Sequence, residues 1–364
     1  MNIAAVILAA GLSSRMGAFK PLIRLGERSM LGHCRMLFHE CGLDEILAVV
    51  GHRADETAAE AESLGMMRVQ NNEYHTGMFS SIQCAAAALP TNIEAFFILP
   101  VDIPLVRAAT IKTILAAFPG EDEAVFYPLF AGRRGHPPLI PATLIPAILN
   151  HDGVGGLEAL LGQYKGIDVA VWDEGILMDA DTPKDLERLQ QRQVRLSIPN
   201  RQEINTLAGQ LLSEQGLAHG HMVGRTAAAL AQALNDQGYG LDMDLLYGAA
   251  LLHDVAKGQS RHEIKGAELL AALGLAEIAA IVAAHTDLEP RLTSSLTEKE
   301  LVCLADKFIS GSRRIQIEER YAEKLEIFAG NAAICREIRG RRERALALKD
   351  FVEQKLGRSV ETIL

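Results

Sequence analysis

The chain has 364 residues, 49% of them hydrophobic, and a formal net charge of -10 at pH 7. That length exceeds one average domain and that apolar content excludes wholesale disorder, so two globular domains are expected. The acidic balance leaves no basic footprint for general nucleic-acid binding, although local basic loops can still hold the phosphates of a nucleotide.

Five scattered cysteines (Cys34, Cys41, Cys84, Cys303 and Cys335) contain no CxxC pair. They make a poor disulfide framework and a poor zinc site, which implies a reducing compartment. The first basic residue is Arg15, so the apolar N-terminus lacks the charged start of a signal peptide. No uncharged apolar run reaches ~18 residues. A cytoplasmic protein without a membrane partner is the expectation.

In chain order, short apolar runs at 2–9, 45–51, 94–101, 123–129 and 167–172 predict buried strands. Helical patterns near 29–41, 79–89, 107–118, 141–150 and 155–164 alternate with them. Such alternation predicts a Rossmann-like α/β domain, a mostly parallel sheet with helices on both faces. A polar helix over 183–195 precedes the break Ser197-Ile198-Pro199-Asn200. Beyond it the period is helical at 201–216, 222–238, 242–257, 262–273, 275–285, 296–310 and 313–330, so the second half reads as all-α. The expected organisation is a first domain at 1–193, a linker at 194–203, a second domain at 204–330 and a charged helical tail at 331–364. The tail arginines (Arg336, Arg339, Arg341, Arg342 and Arg344) read as a solvated face. Trp172 and the Met66-Met67 pair read as core; His219 and, further upstream, His33, His39, His52 and His75 read as surface or loop residues.

In the run Ile3 to Pro21, a strand ends at Gly11 and a loop of small residues carries Ser13, Ser14, Arg15 and Lys20. Gly11 permits close backbone approach. The N–H groups around Ser13 and Ser14 can cradle an anion. Arg15 and Lys20 can neutralise a triphosphate and a departing pyrophosphate. The spacing is neither GxxxxGK[ST] nor GxGxxG. Asp102 ends an apolar run, at the carboxyl edge where open α/β sheets bind ligands, and a carboxylate there can hold Mg²⁺. Asp181 either joins that site or decorates the helix start at Thr182-Pro183. His136, in the loop Gly132-Arg133-Arg134-Gly135-His136-Pro137, suits a pterin or its phosphate, and Ser80 and Ser81 open a helix as phosphate contacts or as caps.

These segments, in this order, resemble the MobA-like nucleotidyltransferases over residues 3–190. The first run resembles LAAGxSxRMGxxKxL, and Gly132 to Pro137 matches GRRGHP. Leu99 to Val106 resembles GDQPLV with Val101 and Ile103 substituted, and Asp179 to Asp185 resembles DIDTPxDL. Ala9-Ala10-Gly11 resembles the cytidylyl members, molybdenum cofactor cytidylyltransferases, rather than guanylyl relatives. The resemblance implies transfer of CMP from CTP to molybdopterin, with Arg15, Lys20 and Asp102 catalytic and a molybdoenzyme or maturation factor as protein partner. A sugar phosphate remains an alternative acceptor.

The second half carries His221, His253-Asp254, His262, His285 and Asp306. Imidazoles and carboxylates from several helices suit divalent metals. Lys257, one turn after His253, can hold a substrate phosphate. The order resembles the HD-domain metal phosphohydrolases. That resemblance implies one metal on His221, His253, Asp254 and Asp306 and a second on His262 and His285, with Mn, Fe, Mg or Ni as candidates. A non-catalytic nucleotide-sensing module is the alternative.

Overall fold

β1 (Ile3–Leu8) is six consecutive buried apolar residues, the signature of a strand covered on both faces. The computed structural model describes residues 1–13, 16–120, 123–286, 288 and 296–364. After β1, a short hairpin of β2 (Arg24–Leu25) and β3 (Arg28–Ser29) leads into α1 (Met30–His39), whose N-cap Ser29 accepts from Gly32 N. There follow β4 (Ile46–Val50), α2 (Ala54–Ser63), β5 (Met67–Gln70), α3 (Met78–Ala88), β6 (Ala95–Pro100) and α4 (Ala108–Ala117). β7 (Val125–Phe130), β8 (Arg133–Arg134) and β9 (Leu139–Pro141) come next, then α5 (Ile145–Asn150), α6 (Gly156–Leu161), β10 (Gly166–Ala170) and α7 (Pro183–Val194).

The strands order as β10-β7-β9-β6-β1-β4-β5, with β8 paired to β7. β1 runs parallel to β4 and β6, and β10 parallel to β7, while β9 is antiparallel to β6 and β7. Alternate residues of β1 face opposite layers. Ile3, Ala5 and Ile7 pack with Leu31, Phe38, Ile111 and Leu189, whereas Ala4, Val6 and Leu8 pack with Phe79, Ile82, Ile148 and Leu160. The expected α/β sheet covered on both faces is therefore present. The sequence patterns missed β5 and α2. β5 is a largely exposed edge strand with no apolar run, and Met67, expected in the core, is 47% exposed. Trp172 is buried.

The chain divides into two compact units, Met1–Leu196 and Ser197–Leu364. The second contains α8 (Arg201–Leu211), α9 (Glu214–Asn235), α10 (Met243–Leu252), α11 (His262–Ala272), α12 (Ala276–Val282) and α13 (Glu298–Lys307). A hairpin of β11 (Ile309–Ser310) and β12 (Arg313–Arg314), α14 (Ile317–Ile327) and α15 (Ala332–Leu356) complete it. The pattern expected to run unbroken over 201–216 stops at Leu212, because Ser213 caps α9 by accepting from Gly216 N. α10 ends at Leu252, so His253 and Asp254 lie in the following turn rather than on the helix. The charged tail is only partly solvated: α15 buries Cys335, Ile338, Ala345, Leu348, Val352 and Leu356 along one stripe. Among the described residues, no helix is long and apolar enough to cross a membrane.

One buried anion fastens the end of the first unit. Asp173, 1% exposed, accepts from Arg107 N at 2.7 Å and Thr110 Oγ1 at 2.9 Å through one oxygen. Its other oxygen accepts from Gly175 N and the Arg192 guanidinium, each at 2.9 Å. The network ties α4 and α7 to the segment leading toward Asp179 and Asp181. Removing one partner of a buried charge network strands the others. Asp173→Ala is therefore expected to cost about 3–5 kcal/mol, on the order of 10 °C in the melting of the first unit, measured by thermal unfolding.

Candidate functional sites

At the carboxyl edge of β1 and β6 lies a cavity of about 320 Å³. Its lining includes Ala10, Gly11, Leu12, Ser13 and Lys20 from the first loop, Tyr74, Gly77, Met78 and Ser81 before and at the start of α3, and Asp102 after β6. A Cβ at Gly11 would meet nothing within 4 Å, so the backbone is open to close approach. Ser13 holds a left-handed φ of 54° and its Oγ accepts from Lys20 N at 3.1 Å, folding the loop back on itself.

Lys20 Nζ donates to Asp102 Oδ2 at 2.8 Å and to Asp181 Oδ1 at 2.9 Å. Burial alone would lower its pKa, but the two carboxylates raise it, so the ammonium stays charged. The two acids thus converge on one cation position, as a divalent ion between them requires, and Lys20 now fills it. Asp181 belongs to the site and is not only decoration of α7; the N-terminal capping box of α7 is made by Thr182 and Asp185.

Other sequence-predicted residues fall differently. Ala9 is fully buried in the core and does not line the cavity. Asn71 Nδ2 donates to both Ser80 and Ser81, and Ser80 Oγ lies in hydrogen-bond reach of the Glu73 and Gly77 carbonyls. Of the two serines only Ser81 lines the cavity. His136 is half-buried; burial pushes its pKa down against the opposing pull of Asp102 and Asp179, which leaves a neutral ring. Arg134 is committed to Asp168 at 2.5 Å and stacks on Tyr127. Ser14 and Arg15 lie outside the described residues.

The second unit brings four imidazoles and two carboxylates together. His219, His253, His262 and His285 form a chain with neighbouring ring centroids 5.0–5.3 Å apart. Asp254 divides its oxygens between two pairs. Oδ2 lies 3.7 Å from His219 Nε2 and 3.5 Å from His253 Nε2. Oδ1 lies 3.5 Å from His262 Nε2 and 3.7 Å from His285 Nε2. Asp306 Oδ1 adds to the first pair, at 3.3 Å from His219 and 3.6 Å from His253.

The backbone fixes the ring tautomers. His219, His253 and His285 each place Nδ1 on a carbonyl, of Gly311 (2.8 Å), Ala250 (2.8 Å) and Val282 (2.6 Å). A carbonyl only accepts, so Nδ1 carries the proton and the neutral ring turns its Nε2 lone pair to the cluster. The Nε2 atoms of His219 and His253 are buried without a hydrogen-bond partner. Lone pairs facing carboxylates need a cation between them, so the donor set fits one divalent ion at each triad, His219-His253-Asp254 and Asp254-His262-His285. Burial alone would raise both acids; His285, His253 and Lys257 instead hold Asp254 well below the carboxylate range, and Lys307 and Arg320 do so for Asp306. Lys257, 66% exposed, rests on Asp254 Oδ2 at 2.5 Å.

The residue expected from α9 was His221, with His219 read as surface; the structure reverses them. His219 is in the cluster, and His221 Nδ1 meets Tyr247 OH at 3.0 Å. Two helical residues lie ~200° apart around the axis, so only one can face α10 with the metal cluster. Gly220 and Gly224 mark the contact: a Cβ at Gly220 would lie 2.5 Å from Leu251 O, and one at Gly224 2.9 Å from the Tyr247 ring. That glycine pair was the signal in the sequence that would have placed the contact face.

The family described as MobA-like NTP transferase domain matches residues 5–167, and the HD domain family matches residues 216–311. The chain carries a MobA-like NTP transferase domain followed by an HD domain. The molybdenum cofactor cytidylyltransferase of Escherichia coli is 26% identical over 189 residues, 51% of this chain and 95% of that protein. The bifunctional protein GlmU of Corynebacterium aurimucosum is 31% identical over 133 residues, 34% of this chain but only 27% of that protein's length. Among solved structures, a nucleotidyl transferase from Methanothermobacter thermautotroptrophicus aligns with a TM-score of 0.47 at 22% identity, covering 53% of this chain and 98% of that one.

The cavity thus belongs to the NTP transferase domain and the histidine cluster to the HD domain. His219→Ala is expected to lower the HD domain's Mn²⁺ affinity about 10–100-fold, and His221→Ala to leave it near wild type, as read by metal content after dialysis.

Proposed function

We propose that the NTP transferase domain, residues 1–193, transfers CMP from CTP to the terminal phosphate of molybdopterin, and that the HD domain, residues 204–330, is a metal-dependent phosphohydrolase. The observation that carries the first part is the Lys20 ammonium shared by Asp102 and Asp181 at the carboxyl edge of the sheet. The relative covering nearly all of the Escherichia coli cytidylyltransferase supports the choice of nucleotide and acceptor. The shared carboxylate of Asp254 carries the second part. The five free cysteines accord with a cytoplasmic setting.

In the transfer reaction Lys20 leaves the carboxylates for the phosphates of CTP and neutralises charge that builds on the departing pyrophosphate. Asp102 and Asp181, released by that move, hold Mg²⁺. Bound there, Mg²⁺ would polarise the α-phosphate and offset its charge. Ser13 and the open backbone at Gly11 position the triphosphate, and Arg15 adds a second base. The attacking atom is a phosphate oxygen, already anionic, so positioning matters more than a general base. In the HD domain His219, His253 and Asp306 hold one ion, His262 and His285 a second, and Asp254 both. Lys257, exposed beside Asp254, orients the substrate's phosphate. Manganese, iron, magnesium and nickel are the candidate ions.

Anaerobic incubation of the full-length protein with metal-bearing molybdopterin, Mg²⁺ and either CTP or GTP tests the first part, with the product read by mass. Product with CTP and not GTP is expected, and Lys20→Ala should lower the rate about 10²–10³-fold. No dinucleotide with either nucleotide, or a product only when a sugar phosphate replaces the pterin, would overturn it. Asp254→Asn is expected to abolish hydrolysis of a phosphodiester probe, and a wild-type protein inactive across metal-loaded phosphate esters would overturn the hydrolase part.

A further inference from the structure

The HD family match stops at residue 311, yet α14, beyond it, reaches the metal cluster. The Arg320 guanidinium lies 3.4 Å from Asp306 Oδ2 and also donates to the backbone carbonyls of Asp306 and Ile309. Lys307 Nζ lies 3.0 Å from the same Oδ2 and 3.3 Å from the His285 carbonyl. Asp306 therefore presents its two oxygens to different partners: Oδ2 to two cations, Oδ1 to the Nε2 atoms of His219 and His253.

We propose that Arg320 is a positioning residue of the metal centre, fixing Asp306 so that only Oδ1 is offered to the ion held by His219 and His253. The inference rests on the reading of this cluster as a metal centre. A carboxylate with a free second oxygen can rotate and chelate one ion through both. Here, chelation would break the bonds from Arg320 and Lys307 to Oδ2. One-oxygen ligation leaves a coordination position open, which a catalytic site requires and a closed structural site does not. Arginine suits the task because its planar fork serves a carboxylate and two carbonyls at once, which an ammonium at the same place cannot do in that geometry. The α14 segment is on this account a working part of the HD site.

The test uses full-length protein stripped by chelator and reloaded with Mn²⁺, with bound metal measured per chain. Asp254→Ala gives the baseline for ions held elsewhere. The electronic spectrum of the Co²⁺-loaded protein reports ligand geometry. Arg320→Met, with an unchanged circular dichroism spectrum, is expected to weaken Mn²⁺ at the cluster about 10–100-fold and to alter the Co²⁺ spectrum. Arg320→Lys should recover part of both. Wild-type affinity and spectrum in folded Arg320→Met would overturn the proposal. If Arg320→Met fails to fold, folded Arg320→Lys decides: a weakened site supports the proposal, and a site indistinguishable from wild type overturns it. A wild-type protein binding no more Mn²⁺ than Asp254→Ala would overturn the metal-centre reading itself, and this inference with it.

Discussion

Carboxylates cannot converge in a partly buried pocket without positive charge between them, because mutual repulsion and lost hydration both oppose their ionised forms. Each unit of this chain is organised around that constraint. In the first, the Lys20 ammonium joins Asp102 to Asp181 across long stretches of sequence. In the second, four histidines surround Asp254 and Asp306 with their Nε2 atoms turned inward. The sheet and the helices deliver these groups; the need for a cation decides what the resulting sites can hold.

The two solutions differ in their dependence on the backbone. The lysine is a long side chain on a loop, able to exchange one anion for another. The histidines are locked by carbonyls of their own turns and of Gly311, so their donor atoms stand ready before any ion arrives. A movable cation suits a domain whose ligand brings its own phosphates. Fixed lone pairs suit a resident metal.

The chemistry was largely legible in the sequence because it lies in short contiguous motifs. Gly11, Ser13 and Lys20 share one loop, His253 and Asp254 are adjacent, and parallel strands buried on both faces read as unbroken apolar runs. What escaped was set by packing between distant segments. Nothing local distinguishes His219 from His221; the helix face that meets α10 does. The edge strand β5 has no apolar run to betray it. Asp173 draws its partners from residues 107, 110, 175 and 192, and only Gly175 is near it in sequence. Arg320 meets Asp306 through a hairpin and a helix whose sequence reads simply as charged.

Gly220 sits between the two histidines of the HGH triplet, and the backbone it brings close is that of Leu251, two residues before His253. The span between the His219 and His253 rings therefore follows from main chain resting on main chain. No flexible linker intervenes that could stretch or shorten to suit its guest. The pair behaves as a fixed caliper, and ions must conform to its opening rather than the opening to them.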